Sequence, residues 1–163
     1  MKDLDFLRML KAEGKLDVAE PSSEISLAYS MKSSNCLKSA KILLQAKLYE
    51  NSVSEAYYAM YNSALALLFK CGIKSESHSG TIILLERLFG LVKERVTLAN
   101  AKKERIDKQY YVTDQASEIA NEGSAKQIIK DAEQFTLQIA AYSSKIMSGE
   151  IGRIRDQLKS ISR

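Results

Sequence analysis

One proline and seven glycines are all that interrupt this chain of 163 residues, and this scarcity of turn residues limits the folds open to it. A β-sandwich or barrel needs a turn about every ten residues, and an α/β fold needs a loop at each change between strand and helix. The apolar fraction of 45% and the charged fraction of 27% are typical of one ordinary globular domain. The sequence therefore predicts an all-α protein.

Membrane insertion, secretion and disulfide bonding are not indicated by the sequence. No apolar run approaches the roughly 18 residues of a membrane span, and Asp3 and Asp5 interrupt the apolar residues of the N-terminus. Cys36 and Cys71 lie in apolar helical stretches, with no second cysteine or histidine at metal-ligand spacing. These features predict a cytoplasmic protein with buried thiols, no metal site, no cofactor and no membrane contact.

Three segments are expected along the chain. Residues 1–20 form a short amphipathic helix, residues 22–147 form the main helical bundle, and residues 148–163 form a basic C-terminal extension. Pro21 and Ser22 indicate the start of the first bundle helix, because proline ends the preceding segment and a serine side chain caps free N–H groups. The extension is either a kinked continuation of the helix before it or a separate helix. We expect the bundle to stay folded when the extension is deleted.

The helix in the middle of the sequence is predicted to lie in the middle of the bundle. Ser52 followed by Glu55 is a capping box, which predicts that this helix begins there. Large apolar residues form one stripe along the helix and small residues form a second, so the helix is expected to be buried on two sides. The stripes consist of Val53, Tyr57, Met60, Ala64 and Leu67, and of Ala56, Ala59, Ser63 and Ala66.

Two longer helices are predicted in the second half of the chain. The first covers about residues 93–113 and buries a stripe whose members are three and four residues apart. A polar loop over residues 113–123 separates it from the second helix, which begins at a capping box of Ser124 and Gln127. The stripe of the first helix consists of Val96, Ala99, Lys103, Ile106 and Tyr110.

The histidine and the tyrosines have more than one interpretation from the sequence alone. His78 is the only histidine, so it forms no metal site without carboxylate partners, and its place before a helix favours a capping role. Tyr57, Tyr58 and Tyr61 could stack on bases, but tyrosines in an alanine-rich helix more often fill the core. A run of mixed charge is typical of a solvated helix face. Its basic members are Lys102, Lys103, Arg105 and Lys108.

The central helix and the loop after it resemble the HEPN superfamily. Residues 54–68 read SEAYYAMYNSALALL, and they are followed by Gly72 and by the residues SHSG at positions 77–80. The resemblance is to stand-alone prokaryotic members and runs from about residue 36 to 147. It implies an up-and-down bundle of four to five helices that dimerises, with a helical extension beyond it and a functional groove where two protomers meet. The motif residues to which it gives a structural role are Tyr57, Tyr58, Tyr61 and His78.

Many HEPN proteins are metal-independent ribonucleases, and the resemblance implies a site for this chemistry late in the bundle. The family signature is an arginine and, after four to six intervening residues, a histidine. The arginine stabilises the phosphate, and the histidine transfers protons while the RNA 2′-hydroxyl attacks. Arg105 matches the arginine, but Tyr110 replaces the histidine. A phenol with a pKa near 10 is a poor base at neutral pH, so we expect weak catalysis.

The resemblance thus implies a homodimer that pairs with a minimal nucleotidyltransferase, as in toxin–antitoxin modules. The candidate catalytic residues of a weak or degenerate ribonuclease are Arg105 and Tyr110. RNA or a nucleotide would bind at the dimer groove through Lys102, Lys103, Arg105 and Lys108, and the net charge of +4 permits such a partner without predicting it. Two alternatives stay open: a non-catalytic helical module that docks a partner protein, and a nucleotide-sensing domain.

Overall fold

The computed structural model describes residues 2–110 and 120–161, and within these ranges the chain forms seven helices and one two-stranded sheet. Helices α2 to α6 form the predicted all-α bundle, and α7 is the predicted extension. None of the described helices combines the length and the apolar character that crossing a bilayer requires. In chain order the elements are α1 (Lys2–Ala12), β1 (Leu16–Val18), α2 (Ser23–Gln45), α3 (Tyr49–Lys70), β2 (Ile73–Ser75), α4 (His78–Phe89), α5 (Val92–Tyr110), α6 (Glu122–Lys145) and α7 (Ser148–Ile161).

Helix α3 lies in the centre of the bundle, as its two apolar stripes predict. From residue 52 to residue 68, every residue except Glu55 and Tyr58 is buried. The small residues of α3 let α2 approach closely, and the Ser33 hydroxyl on α2 donates to the Ala59 carbonyl at 2.7 Å. Helices α5 and α6 cover other sides of α3. Side chains from α3 therefore reach most of the bundle interior.

Helix α3 begins earlier than predicted. The predicted capping box of Ser52 and Glu55 is wrong, because the helix starts at Tyr49 and has no side-chain cap. The Ser52 hydroxyl donates instead to the Ala40 carbonyl on α2, at 2.8 Å. A buried hydroxyl needs a hydrogen-bond partner, and here the neighbouring helix supplies it. This serine joins two helices rather than starting one.

The starts of α2 and α6 are capped by side chains. The Ser22 side chain accepts from the Ile25 N–H at 3.1 Å, as predicted for the start of α2. The predicted box of Ser124 and Gln127 is wrong by one turn, because Asn121 and Ser124 cap each other's backbone at the start of α6. Most of the predicted loop before α6 falls on residues 111–119, which lie outside the described residues.

A small antiparallel sheet ties the N-terminal segment to the end of α3. Strand β1 pairs with β2, so that Leu16 lies opposite Ser75 and Val18 lies opposite Ile73. Strands of three residues are too short for periodicity to reveal, so the sequence predicts no strand here. Only Glu76 and Ser77 separate β2 from α4, which begins at His78.

The buried face of α5 differs from the predicted stripe. Val96 is 52% exposed and Lys103 is also exposed, so the predicted stripe faces solvent in this part of the helix. Leu98 and Ala101 are buried instead. Both sets have spacings of three and four residues, so spacing alone does not show which set packs on α3. Arg105 continues the set that is buried, four residues after Ala101.

The C-terminal extension is a separate helix that packs into the core. Ile154 and Leu158 of α7 are buried and belong to the main hydrophobic cluster. The Arg155 guanidinium donates to the Ala19 carbonyl at 3.0 Å, which ties α7 to the segment after β1. Because α7 contributes side chains to the core, we expect its loss to destabilise the bundle, in contrast to the expectation from the sequence.

Candidate functional site

The Arg105 side chain lies over two tyrosine rings of α3. Its Cζ is 5.4 Å from the centroid of the Tyr57 ring and 5.0 Å from the centroid of the Tyr58 ring. Its Nε is buried without a hydrogen-bond partner, and no carboxylate among the described residues forms an ion pair with this guanidinium. The aromatic faces stabilise the cation without neutralising it. The positive charge therefore stays available to an anionic ligand.

His78 joins this group from the start of α4. Its Nδ1 is hydrogen bonded to the Tyr57 hydroxyl, and its ring stacks on that of Tyr61 with 4.0 Å between centroids. The predicted capping role of His78 is wrong, because the N-cap is Ser77, whose side chain accepts from the Gly80 N–H at 3.1 Å. We call Arg105, His78 and the three tyrosines Tyr57, Tyr58 and Tyr61 the Arg105 cluster.

The imidazole of this cluster is uncharged at neutral pH. Burial lowers the pKa of His78 below its ordinary value of 6.5, and the positive charges of Arg105 and Lys102 lower it further. Burial raises the pKa of Tyr57, so its hydroxyl keeps its proton. We assign the Tyr57 hydroxyl as the donor to Nδ1, which places the proton of the neutral imidazole on Nε2. His78 thus offers an N–H donor near the Arg105 guanidinium.

Lys102 is the second cation at this cluster. Its Nζ donates to the Ser79 hydroxyl at 2.6 Å, immediately after His78 in the chain. Lys103, the next residue, is exposed, and both lysines line a groove of about 390 Å³ between α4 and α5. Of the predicted basic residues, Arg105 and Lys102 are the two whose charges lower the pKa of His78.

The structure does not place the other two predicted site residues, Lys108 and Tyr110, in the Arg105 cluster. Lys108 acts on the half-buried Glu104 carboxyl, whose pKa is raised by burial and lowered in part by this ammonium. The side chain of Tyr110 lies outside the described part of the chain, so its candidate catalytic role stays a prediction. Within residues 2–110 and 120–161, no three His, Cys, Asp or Glu side chains converge where a metal ion could be held.

Comparison with known proteins decides the family. A model of the HEPN domain matches residues 28–140, which include the whole Arg105 cluster. The chain belongs to the HEPN domain family. The match covers most of α2 to α6 and leaves α1, β1 and α7 outside, so the helical bundle is the HEPN part of the protein.

Three relatives show how far the similarity extends. A protein of Methanocaldococcus jannaschii named "Putative toxin" is 33% identical over 115 residues, which cover 68% of this chain and 83% of the relative. A UPF0332 protein of Archaeoglobus fulgidus is 29% identical over 109 residues, covering 64% of this chain and 83% of the relative. A UPF0332 protein of Gloeobacter violaceus is 48% identical over 48 residues, which cover 29% of this chain and 38% of the relative.

In this HEPN protein, the pairing of Tyr57 with His78 is the part of the cluster that sequence reasoning misses. The two residues are 21 positions apart, on different helices, and no local spacing joins them. The signal that could have found the pair is the co-occurrence of the tyrosine block and the SHSG segment in one family motif. Tyr57 and Tyr61 are both buried in the core, and both also contact His78. These two tyrosines therefore pack the core and position the histidine at the same time.

The pKa of His78 leads to a pH-dependent stability. The imidazole has a pKa of about 6.5 in the unfolded chain and a lower pKa in the folded protein. At a pH between these two pKa values, the unfolded chain binds the proton more strongly than the folded protein does. The free energy of unfolding is therefore expected to fall as pH falls through this window. We expect His78→Gln to lose less stability than the wild type between about pH 7.5 and about pH 5, measured by urea denaturation. Carboxyl groups contribute equally to both proteins and cancel in this comparison, so equal losses would contradict the assignment.

Proposed function

We propose that this HEPN protein is the toxin-like member of a two-protein pair and binds the backbone phosphates of single-stranded RNA at the Arg105 cluster. The observation that carries the proposal is the Arg105 guanidinium, which rests on two aromatic rings and has no carboxylate partner among the described residues. The name of the Methanocaldococcus jannaschii relative supports the toxin-like role.

The donors of the cluster suit a phosphate group. Arginine presents a planar set of N–H donors that matches two phosphate oxygens at once. The neutral His78 adds a donor at Nε2, and Lys102 adds a second positive charge on the same side of α5. Two cations and an uncharged donor bind a diester anion without needing a metal ion.

Cleavage of bound RNA is expected to be slow. Attack by the 2′-hydroxyl on the adjacent phosphorus is assisted by a positive charge, which Arg105 supplies, and by a general base. In the assigned tautomer, Nδ1 of His78 accepts from the Tyr57 hydroxyl and Nε2 carries the proton, so this imidazole acts as a donor rather than a base. A missing proton-transfer group removes about 10²- to 10⁴-fold of rate. The protein would therefore bind RNA well and hydrolyse it weakly.

The proposal includes a homodimer and a minimal nucleotidyltransferase as the partner protein. The outward face of α5 supports the homodimer, since Val92 and Val96 are large apolar residues that stand exposed one turn apart. Arg105 lies on the opposite, inward face of α5, so the shared groove between two copies is proposed from the family resemblance alone. The nucleotidyltransferase is proposed from the family resemblance and the toxin-like role.

The test of this function is the affinity of the protein for a short single-stranded RNA, measured by fluorescence anisotropy in the presence of a metal chelator. Arg105→Ala is expected to weaken binding about 10- to 100-fold, since a hydrogen bond to a charged group contributes about 1.5–3 kcal/mol. The affinity of Arg105→Lys for RNA should lie between those of the wild type and Arg105→Ala, because lysine keeps the charge but lacks the planar donor set. Any cleavage of the RNA should be lost in Arg105→Ala.

The control variant is Lys130→Ala, which removes the same charge from an exposed position on α6. It should bind RNA nearly as well as the wild type. If Arg105→Ala and Lys130→Ala weaken binding equally, the interaction is only a general attraction to positive charge. If the wild type does not bind RNA at all, the proposed function is wrong and a protein-docking role is favoured.

A further inference from the structure

A groove of about 490 Å³ lies between α2, α3 and the end of β2, and its walls include three tyrosines. Each of these rings is held by a residue that does not line the groove. Tyr29 stacks on Phe69 with 5.2 Å between centroids, Tyr61 stacks on His78, and Tyr58 lies under Arg105. The aromatic walls are therefore fixed before any ligand arrives, which lowers the entropy cost of binding.

The groove begins where the Arg105 cluster ends. The Tyr58 ring is a wall of the groove and also carries the Arg105 guanidinium, with 5.0 Å between Cζ and the ring centroid. The Tyr58 ring thus lies between the groove and the Arg105 guanidinium. In a nucleotide, one ribose lies between the base and the phosphate in a similar way. A nucleotide whose phosphate lies at Arg105 can therefore reach the groove with its base.

The polar groups that line the groove include two acceptors, the Asn62 amide oxygen and the Glu55 carboxylate, and one cation, Lys32. Asn62 donates from Nδ2 to the Tyr58 carbonyl at 2.8 Å and to the Cys36 Sγ at 3.7 Å, which leaves its Oδ1 as an acceptor. The Glu55 carboxylate is near the Cys36 thiol and, after burial, helps to raise its pKa. This carboxylate lines the groove, is half-buried and forms no ion pair among the described residues.

The chemistry of the groove selects among the bases. Stacking on tyrosine rings suits every base. A carboxylate, however, favours an edge with adjacent N–H donors, and among the four RNA bases guanine offers two of them, at N1 and N2. Adenine and uracil each present an acceptor on the same edge, which the carboxylate would repel.

We propose that this groove is a base-binding subsite that takes a guanine of the RNA strand held at Arg105. The proposal rests on the proposed function for the RNA strand. The base itself is recognised by the tyrosine walls and by Glu55, none of which depends on the charge of Arg105.

The experiment compares the RNA oligonucleotides UUGUU, UUAUU and UUUUU in fluorescence anisotropy titrations. The wild type is expected to bind UUGUU about tenfold more tightly than the other two, since a good bidentate contact to a base discriminates by about 1–3 kcal/mol. Glu55→Gln should abolish the difference among the three. The control Glu50→Gln makes the same change of charge at an exposed position on α3 and should keep the preference. Arg105→Ala should weaken the binding of all three oligonucleotides by a similar factor.

Equal binding of the three oligonucleotides by the wild type, or a preference that survives Glu55→Gln, would overturn the subsite and leave the phosphate site intact. If no oligonucleotide binds, the proposed function fails, and the subsite is then judged with guanosine alone. Guanosine at high concentration should slow alkylation of the groove-lining Cys36 by iodoacetamide, while uridine should not. Cys71 is a fully buried internal control. An unchanged rate at Cys36 would overturn the subsite in that case.

Discussion

Gly72→Ala is expected to lower the free energy of unfolding by about 3–5 kcal/mol, one of the larger effects available to a single methyl group. Gly72 has a φ of 70°, in the left-handed region that costs other residues about 1–2 kcal/mol. A Cβ at this position would also lie 2.5 Å from the Ala19 carbonyl oxygen and 2.8 Å from the Pro21 nitrogen. These atoms belong to the backbone, so they cannot rotate away. The segment after β1 would have to leave the end of α3.

Gly90→Ala is the matched control for this prediction. Gly90 has a φ of 67°, almost the same as that of Gly72, but a Cβ there would meet nothing within 4 Å. Its substitution should therefore cost only the conformational term of about 1–2 kcal/mol. Urea denaturation of both variants separates the two contributions. Equal losses of stability in the two variants would contradict the prediction. They would mean that the close contact of Gly72 with Ala19 and Pro21 adds no cost to the substitution.

The second large effect is expected from Leu158→Ala in the C-terminal extension. Leu158 is 1% exposed and packs into the main core from α7. Removing a buried leucine side chain costs about 2–5 kcal/mol, because the lost contacts leave a cavity. The prediction is that the extension is a structural part of the fold, with a loss of stability measured by urea denaturation.

Leu137→Ala on α6 is the control for the extension, since Leu137 is 70% exposed and the substitution is chemically identical. Its effect should lie within about 0.5 kcal/mol of zero. If Leu158→Ala were equally harmless, α7 would behave as the dispensable basic tail that the sequence alone predicts.

The elements that could be predicted from the sequence are those whose burial is nearly complete. Helix α3 is apolar on two faces, and a helix with that pattern has only the centre of a bundle as a stable position. The all-α class follows in the same way from the shortage of turn residues. The HEPN family itself was indicated by the tyrosine block and the SHSG segment, and the match over residues 28–140 confirms it.

The predictions that were wrong depended on choices between equivalent local patterns. On α5, two sets of residues share the same spacing, and packing against α3 selects the set that contains Leu98. Ser52 and Ser124 each fit a capping box, but one bonds to another helix and the other caps one turn earlier. Tertiary contacts decide such cases, and a single sequence does not record them.

The candidate site was predicted only in part for the same reason. The family signature points to Arg105, but its position over Tyr57 and Tyr58 depends on which face of α5 packs inward. The role of His78 depends on a hydrogen bond between two helices. Both contacts join residues that are distant in the chain, so they belong to the fold rather than to any motif.

The proposed function depends most on contact between Arg105 and a phosphate of bound RNA, and the salt dependence of binding tests this contact directly. Each phosphate contact to a single strand contributes about 0.7 to the slope of log affinity against log salt concentration. The slope measured for Arg105→Ala should therefore be shallower than that of the wild type by about 0.7, while Lys130→Ala should keep the wild-type slope. A slope that is the same in the wild type and in Arg105→Ala would contradict the account.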